Sequence, residues 1–317
     1  MTATGTRSEP LSGDLAPFIS HPGASMFVGR LDRVTWARKT EQGLDWEVGP
    51  AVFKVVEVLH GAKPQSGDTI EATAMRLASS SARPRNRANY WNALKLNPND
   101  ILILACDPTD KPLVWNALAA QPIPSADAQD VAAVRQAYAI EDFSGPLQEK
   151  LQMLQNALES DQPLLNRYSL NYLQLHADKQ RDSGVQLLHN AILSSKVPSN
   201  RKLDLAMILM GQPFLLRDRK ADPANQMVVG TLATALVEES DPVNSSTWAR
   251  LLSASVLAQF TSDPQEASHI RSSLMRSPQD PPAARVTAAL SDLLAQSSGQ
   301  EKEIVSRLLK AWQSGDQ

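Results

Sequence analysis

Hydrophobic residues along this chain change period once. Between Met26 and Trp115 they come in short runs with a period of two, and beyond Pro124 they recur every three to four residues. Met26-Phe27-Val28-Gly29-Arg30-Leu31-Asp32-Arg33-Val34 is β-leaning, and a polar stretch with a turn around Glu41-Gln42-Gly43 follows. Val52-Phe53-Lys54-Val55-Val56-Glu57-Val58-Leu59 is the strongest strand signal. Its apolar residues fall at 53 and 55, then at 56 and 58. That change of phase between Val55 and Val56 predicts a bulge, or a strand buried on both faces. After a turn at Gly67-Asp68, Thr69 to Met75 alternates with Ile70, Ala72 and Ala74 on one face. Asn97-Pro98-Asn99-Asp100 predicts a second turn before the run Ile101 to Ala105, and Leu113-Val114-Trp115 closes the set. Five short strands within about 95 residues predict a small closed or partly open barrel.

The rear of the chain reads as helices. Leu147, Leu151, Leu154 and Leu158 share one helical face, as do Val131, Val134 and Tyr138 before them. Val185, Leu188 and Ile192 repeat the spacing, and so do Trp248, Leu251, Leu252 and Ser255. A last helix carries Ile304, Val305, Leu308, Leu309 and Trp312. Pro163, Pro198, Pro242 and Pro281 occupy first-turn positions, in steps of 35, 44 and 39 residues. Asp222-Pro223, Asp241-Pro242 and Asp263-Pro264 each supply an N-cap followed by a proline at the first helical position. Two helices per step of roughly 40 residues resemble HEAT-like repeats, whose pairs bury their apolar faces only by stacking on neighbours. A plain irregular helical bundle is the alternative.

The predicted fold class is therefore α+β with two domains. A loose Thr-, Ser-, Gly- and Pro-rich arm covers residues 1–24, a β-barrel 25–123 and a helical repeat domain 124–317, with the boundary near Pro122 to Ser125. The succession Phe27-Val28-Gly29-Arg30, Phe53 to Gly61, Ser66-Gly67-Asp68-Thr69-Ile70 and Pro98 to Leu104 resembles the netrin-like module over residues 25–120. That module is an OB-type barrel found in tissue inhibitors of metalloproteases and in bacterial exported proteins. Such modules carry paired cysteines and this chain has a single one, Cys106. The N-terminal cysteine that wedges into a metalloprotease is missing too, so the resemblance does not imply inhibition by that route.

Composition adjusts this picture only slightly. The 317 residues are 42% hydrophobic, enough for packed cores, and 5% aromatic, a bias toward helix-forming aliphatics. A net charge of −3 gives no whole-chain case for nucleic acid or an anionic membrane. Cys106 ends an apolar run and reads as a small buried hydrophobe. The N-terminus lacks the basic start and apolar stretch of a signal peptide, and no window has the length of a membrane span. The expected location is cytoplasmic if the sequence starts at its natural end, and exported or periplasmic if a leader has been removed.

Candidate chemistry is sparse. His21, His60, His176, His189 and His269 form no metal-ligand spacing and read as surface or partly buried polar residues. Ser199-Asn200-Arg201-Lys202 matches Ser-x-x-Lys, but the companion motifs of serine β-lactamases are absent, and Ser199 reads as an N-cap after Pro198. No Gly-x-Ser-x-Gly, Walker-type or Gly-x-Gly-x-x-Gly motif occurs. Arg217 to Asp222 reads as a solvated mixed-charge connector. The loop holding Arg83, Arg85 and Arg87, followed by Tyr90 and Trp91, has no acidic residue among its arginines. It is the candidate binding site, for phosphate, a stacked base or a protein partner, beside the plainer reading of a solvated loop with two aromatics capping the barrel.

The leading expectation is a non-enzymatic protein-binding scaffold with an unknown protein or peptide partner, no cofactor, no metal and no membrane span. Single-stranded nucleic acid or an anion at the Arg83–Trp91 loop is the second expectation. An enzyme whose site is assembled from scattered residues at the domain junction is the third, because such sites need no local motif.

Overall fold

The computed structural model of the chain describes residues 14–41, 44–61, 64–77, 96–111, 113–211, 214–216, 222–260 and 281–313. It is α+β, a β-sheet region over 25–123 followed by helices. Two compact units emerge, one of residues 1–146 with 161–171, the other of 147–160 with 172–317.

The first unit opens with α1 (Ala16–Ile19) and six strands, β1 (Ser25–Val34), β2 (Ala37–Glu41), β3 (Leu44–His60), β4 (Thr69–Leu77), β5 (Ile101–Pro108) and β6 (Val114–Ile123). β1 pairs with β5, β5 with β6, β6 with β4, β4 with β3, and β3 returns to β1. Five strands thus form a closed hydrogen-bonded circuit, with β2 attached to β3 outside it. All these pairs are antiparallel except β4 with β6, where Glu71 to Thr73 run parallel to Val114 to Asn116. The period-two residues Phe27, Leu31, Phe53, Val55, Ile70, Ala72, Leu102, Leu104 and Trp115 meet in a single buried cluster. Met26, Val28, Ile103 and Ala105, on the alternate faces of β1 and β5, are fully buried as well, which explains why these strands read as continuous apolar runs.

The phase change in β3 marks a real irregularity. Val28 faces Glu57 and Gly29 faces Val55, so Val56 is the extra residue on β3. β3 is also far longer than its apolar run, at 17 residues, because its first half pairs with β2 and β4 while its second half pairs with β1 and β4. β2 was not expected. Its residues Ala37-Arg38-Lys39-Thr40-Glu41 carry no apolar alternation, as suits a charged edge strand.

Two turns are built alike. Gln65 N–H donates to Asp68 Oδ2 at 2.8 Å, and Asn97 N–H donates to Asp100 Oδ2 at 2.7 Å. In the third position of each turn Gly67 (φ 92°) and Asn99 (φ 74°) adopt the left-handed conformation that glycine and asparagine tolerate best. Leu113, at φ 62° and half-exposed, adopts it without that tolerance. Leu113→Gly is expected to raise stability by about 0.5–1 kcal/mol, read from the denaturation midpoint; an unchanged or lower midpoint would show that the turn is not strained.

The part of the expected arm that is described, from Asp14, is packed rather than loose. Leu15, Ala16 and Ile19 are buried, and Ser20 Oγ donates to Glu141 Oε2 at 2.9 Å. Three apolar residues in a short amphipathic turn outweigh the polar composition around them. α2 (Gln129–Glu141) follows the sheet and buries Val131, Val134 and Tyr138. The first nine residues of α4, 163–171, group with this unit, where Tyr168 Oη donates to Glu141 Oε2 at 2.8 Å.

The second unit contains α3 (Leu147–Glu159), the end of α4 (Pro163–Leu175), α5 (Ala177–Leu193), α6 (Ser199–Leu209), α7 (Pro223–Glu238), α8 (Pro242–Phe260), α9 (Pro281–Gln296) and α10 (Gly299–Gln313). Among the described helices α3 packs on α5, α5 on α7 and α7 on α9 in one row, α6 on α8 and α8 on α10 in a second, and α8 packs on α9 across the two. Pairs α5–α6, α7–α8 and α9–α10 join the rows. α7, flanked by α5, α8 and α9, is buried on most of its surface, whereas α3 buries only the stripe with Leu151, Leu154 and Leu158. Leu147, expected on that stripe, is half-exposed at the helix start. Asp222 caps α7 as expected, accepting from Asn225 N at 3.0 Å, and Asp241 Oδ1 accepts from Val243 N at 2.8 Å ahead of α8. The Asp263-Pro264 pair lies outside the described residues.

Candidate functional site

Arg83, Arg85, Arg87, Tyr90 and Trp91 lie outside the described residues. The other candidates that fall among the described residues are dispersed. Pro198 takes the N-cap position of α6 and Ser199 is its exposed first residue, with no side-chain capping bond, so the expected cap falls one residue earlier. Arg201 of the same motif reaches the Leu158 and Ser160 carbonyls at the end of α3 and satisfies that helix terminus. Cys106 is fully buried, and burial, followed by Asp107, pushes its thiol above the usual range, which makes it a poor nucleophile. His60 stacks on Tyr138 with ring centroids 4.0 Å apart. His21 lies 3.8 Å from Asp107, and His269 is outside the described residues. Among the described residues no three His, Cys, Asp or Glu side chains are grouped to hold a metal, and no helix is long and apolar enough to cross a membrane.

His189 is better defined. Thr231 Oγ1 donates to Met227 O at 2.6 Å, so at 2.8 Å His189 Nδ1 must be the donor to that hydroxyl oxygen. Nδ1 therefore carries a proton, and burial disfavours the charged ring and lowers its pKa below 6.5. The unfolded chain then binds the extra proton first. Stability is expected to fall as pH drops below 6.5 and to level off beneath the folded value. Denaturation midpoints between pH 8 and 5 check this, and His189→Gln should flatten that part of the profile.

One groove brings together side chains with unspent hydrogen-bonding capacity. It lies between α3 and α5, within the second unit, and has a volume of about 310 Å³. Gln148, Leu151, Gln152 and Gln155 line it from α3, with Leu151 and Gln155 buried at its floor. Asp182, Ser183, Gln186, Leu187 and Asn190 line it from α5. Helical periodicity produces this arrangement. Positions 148, 152 and 155 share a face of α3, as 182, 186 and 190 do of α5, three and four residues apart.

The amides are ordered by their neighbours. Gln152 Nε2 donates to Asn156 Oδ1 at 3.2 Å, and Gln186 Nε2 donates to Asn190 Oδ1 at 2.9 Å. Gln155 Nε2 donates to Glu159 Oε1 at 2.9 Å, while Glu159 Oε2 accepts from Lys196 Nζ at 3.0 Å. Burial pushes the Glu159 carboxyl up, but the bonds from Gln155, Lys196 and Ser194 outweigh it and hold the group below its usual range. An ionised carboxylate only accepts, so the nitrogen of Gln155 must face Glu159 and its carbonyl must face away. That carbonyl, Oε1, is buried and has no partner, on a residue only 7% exposed. A buried acceptor left unpaired costs about 1–3 kcal/mol, a cost that an incoming donor removes.

The apolar stripe of α3 does not disclose this site. The signal was present as the repeated Gln-x-x-x-Asn spacing, 152 with 156 and 186 with 190. A second hollow, lined by Glu57, Val58, Gly61, Pro64, Gln65 and Ser66 beside the first of the two similar turns, is shallow. The chain matches no protein-family model, no curated protein and no solved structure.

Proposed function

We propose that this chain is a non-enzymatic interaction protein whose helical unit binds a polypeptide partner. The observation that carries the reading is the groove between α3 and α5, lined by amides and two leucines, with a single carboxylate, Asp182, as its charge. Ser183 in the groove has no histidine or lysine among its co-lining residues to activate it, so the lining suits binding rather than nucleophilic attack. The alternate-helix rows support the HEAT-like reading of the rear of the chain, since stacked pairs present extended grooves. The closed five-strand circuit with one parallel pair supports the netrin-like, OB-type reading of residues 25–120.

A peptide library selected on the full chain tests the proposal. Recovered peptides are expected to bind at least ten-fold more weakly to Ser183→Trp, which fills the groove, with the denaturation midpoint unchanged. Peptides indifferent to the block, or an empty selection, count against it. Salt-sensitive retention of single-stranded nucleic acid, lost when Arg83, Arg85 and Arg87 are replaced, would favour the basic loop instead.

A further inference from the structure

We infer that the α3–α5 groove reads the main chain of an extended peptide rather than its side chains, with Gln155 Oε1 accepting a peptide N–H. This rests on the peptide-binding reading above and names what that site recognises. The chemistry of the lining is the argument. A primary amide carries the same donor and acceptor as a peptide group, so amide side chains pair with a backbone in both directions. Each stacked pair, Gln152 with Asn156 and Gln186 with Asn190, spends one N–H2 and one carbonyl on itself. The Gln carbonyl and the Asn N–H2 of each pair are left over, and Gln152, Gln186 and Asn190 line the groove. Gln155 lines the same groove; its carbonyl is buried without a partner, and its nitrogen is held by Glu159, which Lys196 holds in turn.

Other ligand classes fit less well. No lining residue is aromatic, so there is no platform for a sugar ring or a base, and no cation lines the groove to take a phosphate. Leu151 and Leu187 offer small apolar contact to alternate side chains of an extended segment. Asp182 gives a mild preference for basic ones, at an exposed position where such pairs are weak.

The probe is acetyl-(Thr-Lys)4-amide, an extended basic octapeptide, titrated into the full chain with binding followed by NMR shifts. Its counterpart with alternate peptide nitrogens methylated keeps every side chain but loses half the N–H donors. The counterpart is expected to bind at least ten-fold more weakly to the wild type and to lose several-fold less on Gln155→Met, which removes one acceptor at similar volume while Gln152 and Gln186 keep theirs. Replacing every threonine by serine in the probe should change affinity less than three-fold. Equal binding of plain and methylated peptides, or equal methylation losses in wild type and Gln155→Met, overturns the main-chain reading and leaves a groove that reads side chains. Failure of the probe and of every library peptide to bind removes the peptide-binding proposal with it. Saturable binding of maltoheptaose at the groove in place of the peptide overturns both.

Discussion

Replacing Arg181 by Met is expected to lower the stability of the helical unit by about 3–5 kcal/mol, the largest effect of any single substitution considered for this chain. Arg181 donates through Nε to Phe214 O at 2.9 Å, through one terminal nitrogen to both Asp222 oxygens at 2.8 and 3.0 Å, and through the other to Asn225 Oδ1 at 2.6 Å. Asn225, fully buried, also bonds both backbone groups of Leu216. One guanidinium thereby ties α5, the 214–216 segment and the start of α7 together. Truncating it leaves a largely buried carboxylate and amide without their cation. Arg181→Lys should recover less than half of the loss, since an ammonium cannot form the planar fork. Chemical denaturation followed by helical circular dichroism measures both variants. A loss below 1 kcal/mol for Arg181→Met would show that the network is not integral to the fold.

The same network fixes a pH dependence. Burial pushes the Asp222 carboxyl up, but hydrogen bonds from Arg181, Asn225 N and Ala224 N, with the Arg181 charge, carry it below its ordinary 3.8. A carboxyl with a depressed folded pKa contributes stability above 3.8, and that contribution is lost as pH falls from there through the folded value. Acid titration of the wild type against Asp222→Asn should show the two curves converging in that range.

In the sheet unit the largest loss is expected from Gly49→Ala, about 3 kcal/mol. A Cβ at position 49 would stand 1.7 Å from Thr35 O, a backbone atom that cannot swing aside. The close approach has a structural purpose. β3 is continuous through Gly49 and Pro50, while its partner changes there from β2, ending at the Ala37–Val48 pair, to β1, beginning at Val34–Ala51. The chain between β1 and β2 turns its corner directly over Gly49, and Thr35 N–H donates to Pro50 O at 3.1 Å. A side chain at 49 pushes that corner away and opens the point where β1 and β3 complete the circuit. Urea unfolding of Gly49→Ala reads the loss. Wild-type stability in this variant would mean that the corner moves freely. Gly29, where an added Cβ would meet the Leu104 side chain at 2.8 Å, should tolerate alanine better, because a side chain can rotate.

Local chemistry is what the sequence disclosed well. The turns at Gly67-Asp68 and Asn97 to Asp100 follow from residues that tolerate positive φ and from aspartates that close their own turns. Asp222-Pro223 starts a helix because its cap and its first proline are adjacent in the chain. The period-two residues gather in one cluster, and the change of phase at Val55–Val56 coincides with the bulged residue. β2 was illegible because a charged edge strand gains its structure from its neighbour's hydrogen bonds, not from an apolar face. The circuit's closure depends on how a 17-residue strand divides its partners, which no window of sequence encodes.

The candidate site divides along the same line. Amides three and four residues apart on α3 and on α5 were fixed by the sequence alone, as was the period that sets each on one helical face. Tertiary structure decided that those two faces border one groove, that Glu159 and Lys196, 37 positions apart, aim the Gln155 amide, and that its carbonyl is left buried without a donor. Periodicity acts through neighbours along a helix, whereas a groove is made by residues that packing alone brings within reach of one another.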